Sequence, residues 1–205
     1  KITDTPTKSY SKMFTLKIDP YGNEKWVIWA SGNPDYYISS AGTDIASDSL
    51  DRIYVAGYNS WGNSTLHYPD GTTGTLGAYQ GRDFILQIDT TGKFVDQTYF
   101  GSKTYYSSML GGFCVNNSSF TYDQVVMLNP KIKVKNNGDV FVCGVDHSNP
   151  NIYAGIYNKA GGWKKNFIVA AGGAGIVEGF SVDKTSNIYI TGNIYRAPLK
   201  TIFTT

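Results

Sequence analysis

Three stretches of thirteen residues constrain this chain more than anything else in it: Ile45 to Gly57 (IASDSLDRIYVAG), Ile132 to Gly144 (IKVKNNGDVFVCG) and Phe180 to Gly192 (FSVDKTSNIYITG). Each ends on β-branched or aromatic residues, one variable position and a glycine. Each carries a polar turn in its middle: Ser49-Leu50-Asp51, Asn136-Asn137-Gly138 and Thr185-Ser186-Asn187. Two short apolar runs around such a turn predict a β-hairpin. A hairpin that recurs three times marks a repeat architecture, in which no unit can bury its apolar faces alone.

The segments between the hairpins repeat as well. Phe14-Thr15-Leu16-Lys17-Ile18-Asp19-Pro20-Tyr21-Gly22-Asn23 is nearly copied by Phe84-Ile85-Leu86-Gln87-Ile88-Asp89-Thr90-Thr91-Gly92-Lys93. Alternation of apolar and polar residues predicts a strand, and Asp-Pro-x-Gly turns it, because proline presets φ and glycine accepts positive φ. Tyr153 to Gly162 takes the same place a third time, and Gly22, Gly92 and Gly161 stand about 70 residues apart. Return strands are predicted at Lys25 to Ser31, Phe94 to Phe100 and Trp163 to Ala170.

The expectation is an all-β chain of tandem four-stranded antiparallel blades, β-propeller-like, with about three blades and a ring incomplete within this chain. Residues 1–13 would connect from a preceding blade. Residues 14–82 would form blade 1 with a long loop from Tyr58 to Arg82, and 83–150 blade 2 with an insertion within Gly101 to Leu128. Residues 151–199 would form blade 3, and 200–205 would start a further strand. Composition agrees, since Tyr, Thr, Ile and Val run between Gly, Asn and Asp, and Glu occurs only at Glu24 and Glu178.

Charge narrows the functional classes. Formal net charge is +2 and the basic residues are scattered, which argues against nucleic-acid binding. At Lys131, Lys133 and Lys135 alternation places the lysines on the solvent side, opposite Ile132 and Val134. No apolar run approaches a membrane span. The chain starts at Lys1 without Met, so a processed or trimmed start is expected.

Taken together, the strand and turn DFILQIDTTGK, the following TYFGS, the hairpin FSVDKTSNIYITG and the TGTLGAYQG before Asp83 resemble the SBBP (seven-bladed β-propeller) repeat family. The likeness covers most of residues 14–193. The chain departs from the family pattern in the second-unit insertion, in the IKVK strand, and in Leu50-Asp51 where the family prefers Gly-Asn. The resemblance implies an outward-facing scaffold or attachment module. Such repeats occur in large secreted and surface proteins of bacteria, and in similar form in viral and phage structural proteins.

Searching the residues for chemistry gives little. His67 and His147 are the only histidines, and neither accompanies a G-x-S-x-G motif. Asp19, Asp48, Asp51, Asp89, Asp139 and Asp183 fall at turns, where a carboxylate bonds local backbone. Asp44, Asp48 and Asp51, or Asp183 with Asn187, offer oxygens to calcium without the EF-hand spacing. No enzyme, cofactor or metal site is expected. Cys143 matches the small strand residues Ala56 and Thr191, and a disulfide with Cys114 is an alternative. Asn63, Asn116 and Asn117 head glycosylation sequons.

Tyr36-Tyr37 and Tyr105-Tyr106, each followed by two serines, occupy matching loops and are the ligand-contact candidates. The leading expectation is therefore a non-enzymatic scaffold in an extracellular, cell-surface or virion assembly, with protein neighbours as partners. A carbohydrate-binding adhesion module using the loop aromatics is the alternative.

Overall fold

The computed structural model describes residues 12–31, 40–59, 63–76, 82–100, 130–146, 151–158, 162–170, 175–194 and 202–203. Every regular element among them is a strand. In chain order these are β1 (Phe14–Ile18), β2 (Glu24–Ser31), β3 (Ser40–Ser47), β4 (Ile53–Asn59), β5 (Ser64–His67), β6 (Thr73–Leu76), β7 (Arg82–Ile88) and β8 (Phe94–Phe100). They continue with β9 (Lys131–Val134), β10 (Val140–Asp146), β11 (Asn151–Asn158), β12 (Gly162–Ala170), β13 (Gly175–Val182), β14 (Ile188–Ile194) and β15 (Ile202–Phe203). The all-β expectation, with four-stranded sheets, is what the chain adopts.

The strands form four sheets, ordered β1-β2-β5-β6, β3-β4-β7-β8, β15-β12-β11-β10-β9 and β13-β14. None closes into a barrel. The grouping runs out of phase with the sequence units. A thirteen-residue hairpin pairs with the opening strand of the next unit, β4 with β7 and β10 with β11, and among the described residues not with the strands that precede it. The stretch read as a long loop, Tyr58 to Arg82, holds β5 and β6. They extend the first sheet, with Trp29 opposite His67 and Ala30 opposite Leu66. The 101–128 insertion lies outside the described residues.

Hairpin turns repeat more faithfully than the strands. At 19–23, 68–72, 89–93, 135–139 and 183–187, the first residue's N–H bonds the fifth residue's carbonyl and the fourth residue's N–H bonds the first's. This is a three-residue loop whose last member is left-handed. Gly22, Gly71, Gly92 and Gly138 fill that position with φ between 80° and 87°, and Ser186 takes it at 75°. In the turn between β3 and β4, Asp51 is left-handed at 57°. The sequence triplets 49–51 and 136–138 mark these loops correctly, while the third loop is 184–186, one residue earlier than expected.

The chain divides into two compact units, Lys1–Thr43 with Asp51–Tyr99, and Asp44–Leu50 with Phe100–Thr205. In the first unit the β1-β2-β5-β6 sheet contributes Trp26, Ile28, Ala30, Leu66 and Leu76 to a core, with Met13 and the turn residue Tyr68 beside them. Val55, Phe84, Leu86 and Ile88 come from the facing sheet. Alternation puts these residues on one side of each strand, and each large one withdrawn from water contributes about 1.5–3 kcal/mol. The buried Asn59 joins the two sheets, its Nδ2 donating to the Leu76 carbonyl while its Oδ1 accepts from the Ser64 hydroxyl. In the second unit Cys143, Ile152 and Ala154 meet Val177, and Phe180, Ile188 and Ile190 pack against them.

Candidate functional site

The aspartates came forward as possible chemical groups, and their geometry makes them braces. Asp19 Oδ1 accepts the backbone N–H of Tyr21 and of Asn23, each at 2.9 Å. The Asn23 side-chain amide and Lys25 bond its carboxylate as well. These partners, Asn23 first, lower its pKa to about 2. Asp89 binds the N–H of Thr91 and of Lys93 in the same way, and the Thr91 hydroxyl leads in depressing its pKa. Asp70 is depressed chiefly by the Thr72 hydroxyl.

Asp183 gathers the most donors: backbone and hydroxyl of Thr185, backbone and amide of Asn187, and the Tyr189 hydroxyl. The Asn187 amide is the first cause of its lowered pKa, and the carboxylate in return raises the pKa of Tyr189. Asp48 Oδ1 accepts from the Leu50 N–H. Asp44 accepts the Ile45 N–H and, at 2.7 Å, the N–H of Ile132 on edge strand β9. Among the described residues no cluster of His, Cys, Asp or Glu is arranged to hold a metal ion.

The turns in turn carry a lysine clasp that the sequence did not suggest. Lys17 Nζ donates to the Thr90 carbonyl at 2.9 Å, and the Trp26 indole N–H donates to the same oxygen at 2.9 Å. Lys135 Nζ reaches the Lys184 carbonyl at 2.8 Å and the Ser186 hydroxyl at 2.6 Å, and it also lies over the Phe141 ring. In both units the carbonyl taken is the second residue of a turn from another sheet. Lys135 is thus half-buried and engaged, where alternation alone placed it with the solvent-facing lysines.

The described surface that stands out is the outer face of the β1-β2-β5-β6 sheet. Strand register places Phe14 opposite Trp29 and Trp29 opposite His67, so three rings cross three strands in one row. Trp29 and His67 stack at 4.0 Å with a 9° angle between their planes. Ser31 Oγ and His67 Nε2 are 2.8 Å apart. Beside this row Phe14 is 62% exposed, Ile18 54% and Leu16 38%. The sequence does not announce the Ser31–His67 pair, because β5 sits in the stretch that reads as loop. As a hydroxyl–imidazole pair it has the first contact of a nucleophile and base, but among the described residues no carboxylate orients the imidazole.

Tyr36, Tyr37, Tyr105 and Tyr106 lie outside the described residues, as do Cys114, Asn116, Asn117 and His147. Cys143 is a free thiol, fully buried, and burial pushes its pKa up to about 12. Its neighbours fit the small-strand-residue reading. Asn63 is exposed immediately before β5. Compared with models of known protein families and with curated proteins, the chain matches none.

Proposed function

We propose that this chain is a non-enzymatic structural and interaction module, a propeller-like scaffold that works within a larger cell-surface, secreted or virion assembly. The observation that carries the reading is the uncovered face bearing Phe14, Leu16, Ile18 and Trp29. Its apolar residues repeat the pattern Phe84, Leu86 and Ile88, which are fully buried in β7. Large apolar residues set side by side on a sheet face form the kind of patch that marks a contact surface. Asp19, Asp70, Asp89 and Asp183 support the same reading, since donors of their own turns hold their carboxylates. The SBBP resemblance fits it as well and belongs to the proposal.

Light scattering over a concentration series tests the reading. Multimers are expected, and Phe14→Asp should dissociate them while circular dichroism stays that of a β protein. A monomer at every concentration would count against a contact function for this face.

A further inference from the structure

The two sheets that join a thirteen-residue hairpin to an opening strand share one register. In β4–β7, Ile53 lies opposite Ile88, Val55 opposite Leu86 and Gly57 opposite Phe84. In β10–β11, Val140 lies opposite Tyr157, Val142 opposite Gly155 and Gly144 opposite Tyr153. Each time the glycine that closes the hairpin faces the aromatic residue near the start of the opening strand. The fit at Gly57 is steric, for the Phe84 ring stands 2.5 Å from where a Cβ would be. Any side chain there would displace the ring.

Two strands carry half of this arrangement. β14 has the closing-strand residues Ile188, Ile190 and Gly192, and it pairs with β13 alone. At Gly192 a Cβ would meet backbone of Ile176 and Val177 in its own sheet. β1 has the opening-strand residues Phe14, Leu16 and Ile18, and it pairs with β2 alone. Among the described residues each strand therefore has an edge with no strand paired to it, and these edges are of complementary kinds. Phe84, Leu86 and Ile88 lie in the first unit's core beside Val55, and in the second unit Cys143, Ile152 and Ala154 pack with Val177, Phe180, Ile188 and Ile190 of the β13–β14 hairpin.

We propose that β14 of one copy takes β1 of a second copy as its neighbour, in the register of β4 with β7. Ile188 then lies opposite Ile18, Ile190 opposite Leu16 and Gly192 opposite Phe14, with the Phe14 ring over the glycine. Strand addition of this kind draws affinity from main-chain hydrogen bonds and specificity from the alternating side chains. Phe14, Leu16 and Ile18 of the incoming copy then lie beside Ile188 and Ile190 on one side of the joined sheet. The contact joins different surfaces of the two copies, so it propagates head to tail into a ring or an open string. It rests on the assembly function proposed above and names its contact.

The test uses the full chain with Cys114→Ser and Cys143→Ala, one sample carrying Leu16→Cys and the other Ile190→Cys. On mixing and mild oxidation, a disulfide-linked pair is expected. Ile18→Cys in place of Leu16→Cys moves the thiol two residues along, about 7 Å, beyond what a disulfide spans, and should lower the yield about tenfold. Thr15→Cys with Thr191→Cys repeats the test at the adjacent position, should Ile190→Cys disturb the fold. Multimers seen by light scattering without the 16–190 link overturn this pairing and leave the assembly function standing. A monomer at every concentration overturns both. A single chain carrying both cysteines that links to itself in dilute solution overturns the second copy as occupant.

Discussion

Strands β1 and β7 carry the same three apolar residues at the same alternating positions: Phe14, Leu16 and Ile18 in one, Phe84, Leu86 and Ile88 in the other. In β7 all three are fully buried, and in β1 they are between 38% and 62% exposed. Their turns also match, Asp19 to Asn23 against Asp89 to Lys93, with the same backbone bonds and the same left-handed glycine. What differs is the neighbour. β4 lies along β7, and the Trp26–Ile28 face lies beneath it, while β1 has β2 on one side only among the described residues. Sequence alternation sets which side of a strand is apolar, but burial depends on a partner supplied from elsewhere.

The sharpest way to break this comparison is to truncate the matched leucines. Leu86→Ala should cost the fold about 2–5 kcal/mol, from lost burial and the cavity left behind. In dilute solution Leu16→Ala should stay within about 0.5 kcal/mol, as surface changes do. Equal losses in urea denaturation would mean that β1 is as covered as β7.

The matched glycines separate strain from crowding. Both hold positive φ, so alanine at Gly22 should cost about 1 kcal/mol, with nothing within 4 Å to obstruct it. At Gly92 a Cβ would lie 2.8 Å from Pro69 Cγ and 2.9 Å from Trp26 Cδ2. Gly92→Ala should therefore lose a further 1–3 kcal/mol or so, through displaced packing. Thermal denaturation of the two variants side by side reads the difference.

A smaller effect is expected at the clasp. Lys17→Met keeps the stem and removes the ammonium bond to the Thr90 carbonyl, which should lower stability by about 0.5–1.5 kcal/mol. Lys135→Met should do the same for the 183–187 turn, with faster amide exchange at Ser186 and Asn187.

Acid acts most gently. The pKa of Asp19 is depressed, so its bracing is fully present above the ordinary carboxylate value of 3.8 and is lost as pH falls through about 2. The Tyr21 and Asn23 amide resonances should titrate with a midpoint near 2. A midpoint near 3.8 would show that the Asn23 and Lys25 contacts do not hold in solution.

Much of this could be read from the chain, and the failures have a common cause. Turns depend on a few adjacent residues, so Asp-Pro-Tyr-Gly and Asn-Asn-Gly announce themselves. Pro69-Asp70-Gly71 carries the same signal and would have found β5 and β6, but their strands are only four residues long and weakly apolar. Pairing between hairpins is non-local. Nothing near Ile45 to Gly57 says that it joins Phe84 to Ile88 and not Phe14 to Ile18. The outer ring row of Phe14, Trp29 and His67 was hidden for the same reason, because it exists only once β5 lies against β2. The bonds of Lys135 are not legible in the sequence, because alternation tells which side a residue leaves the strand and nothing about the carbonyl it then reaches.

Amide hydrogen exchange at low and at high protein concentration bears most directly on whether β1 is an open strand waiting for a partner. The amides of Phe84 to Ile88 should be protected at both concentrations. Those of Phe14 to Ile18 that do not bond β2 should exchange freely when dilute and become protected when concentrated. Protection of both strands that is equal and independent of concentration would contradict an open β1.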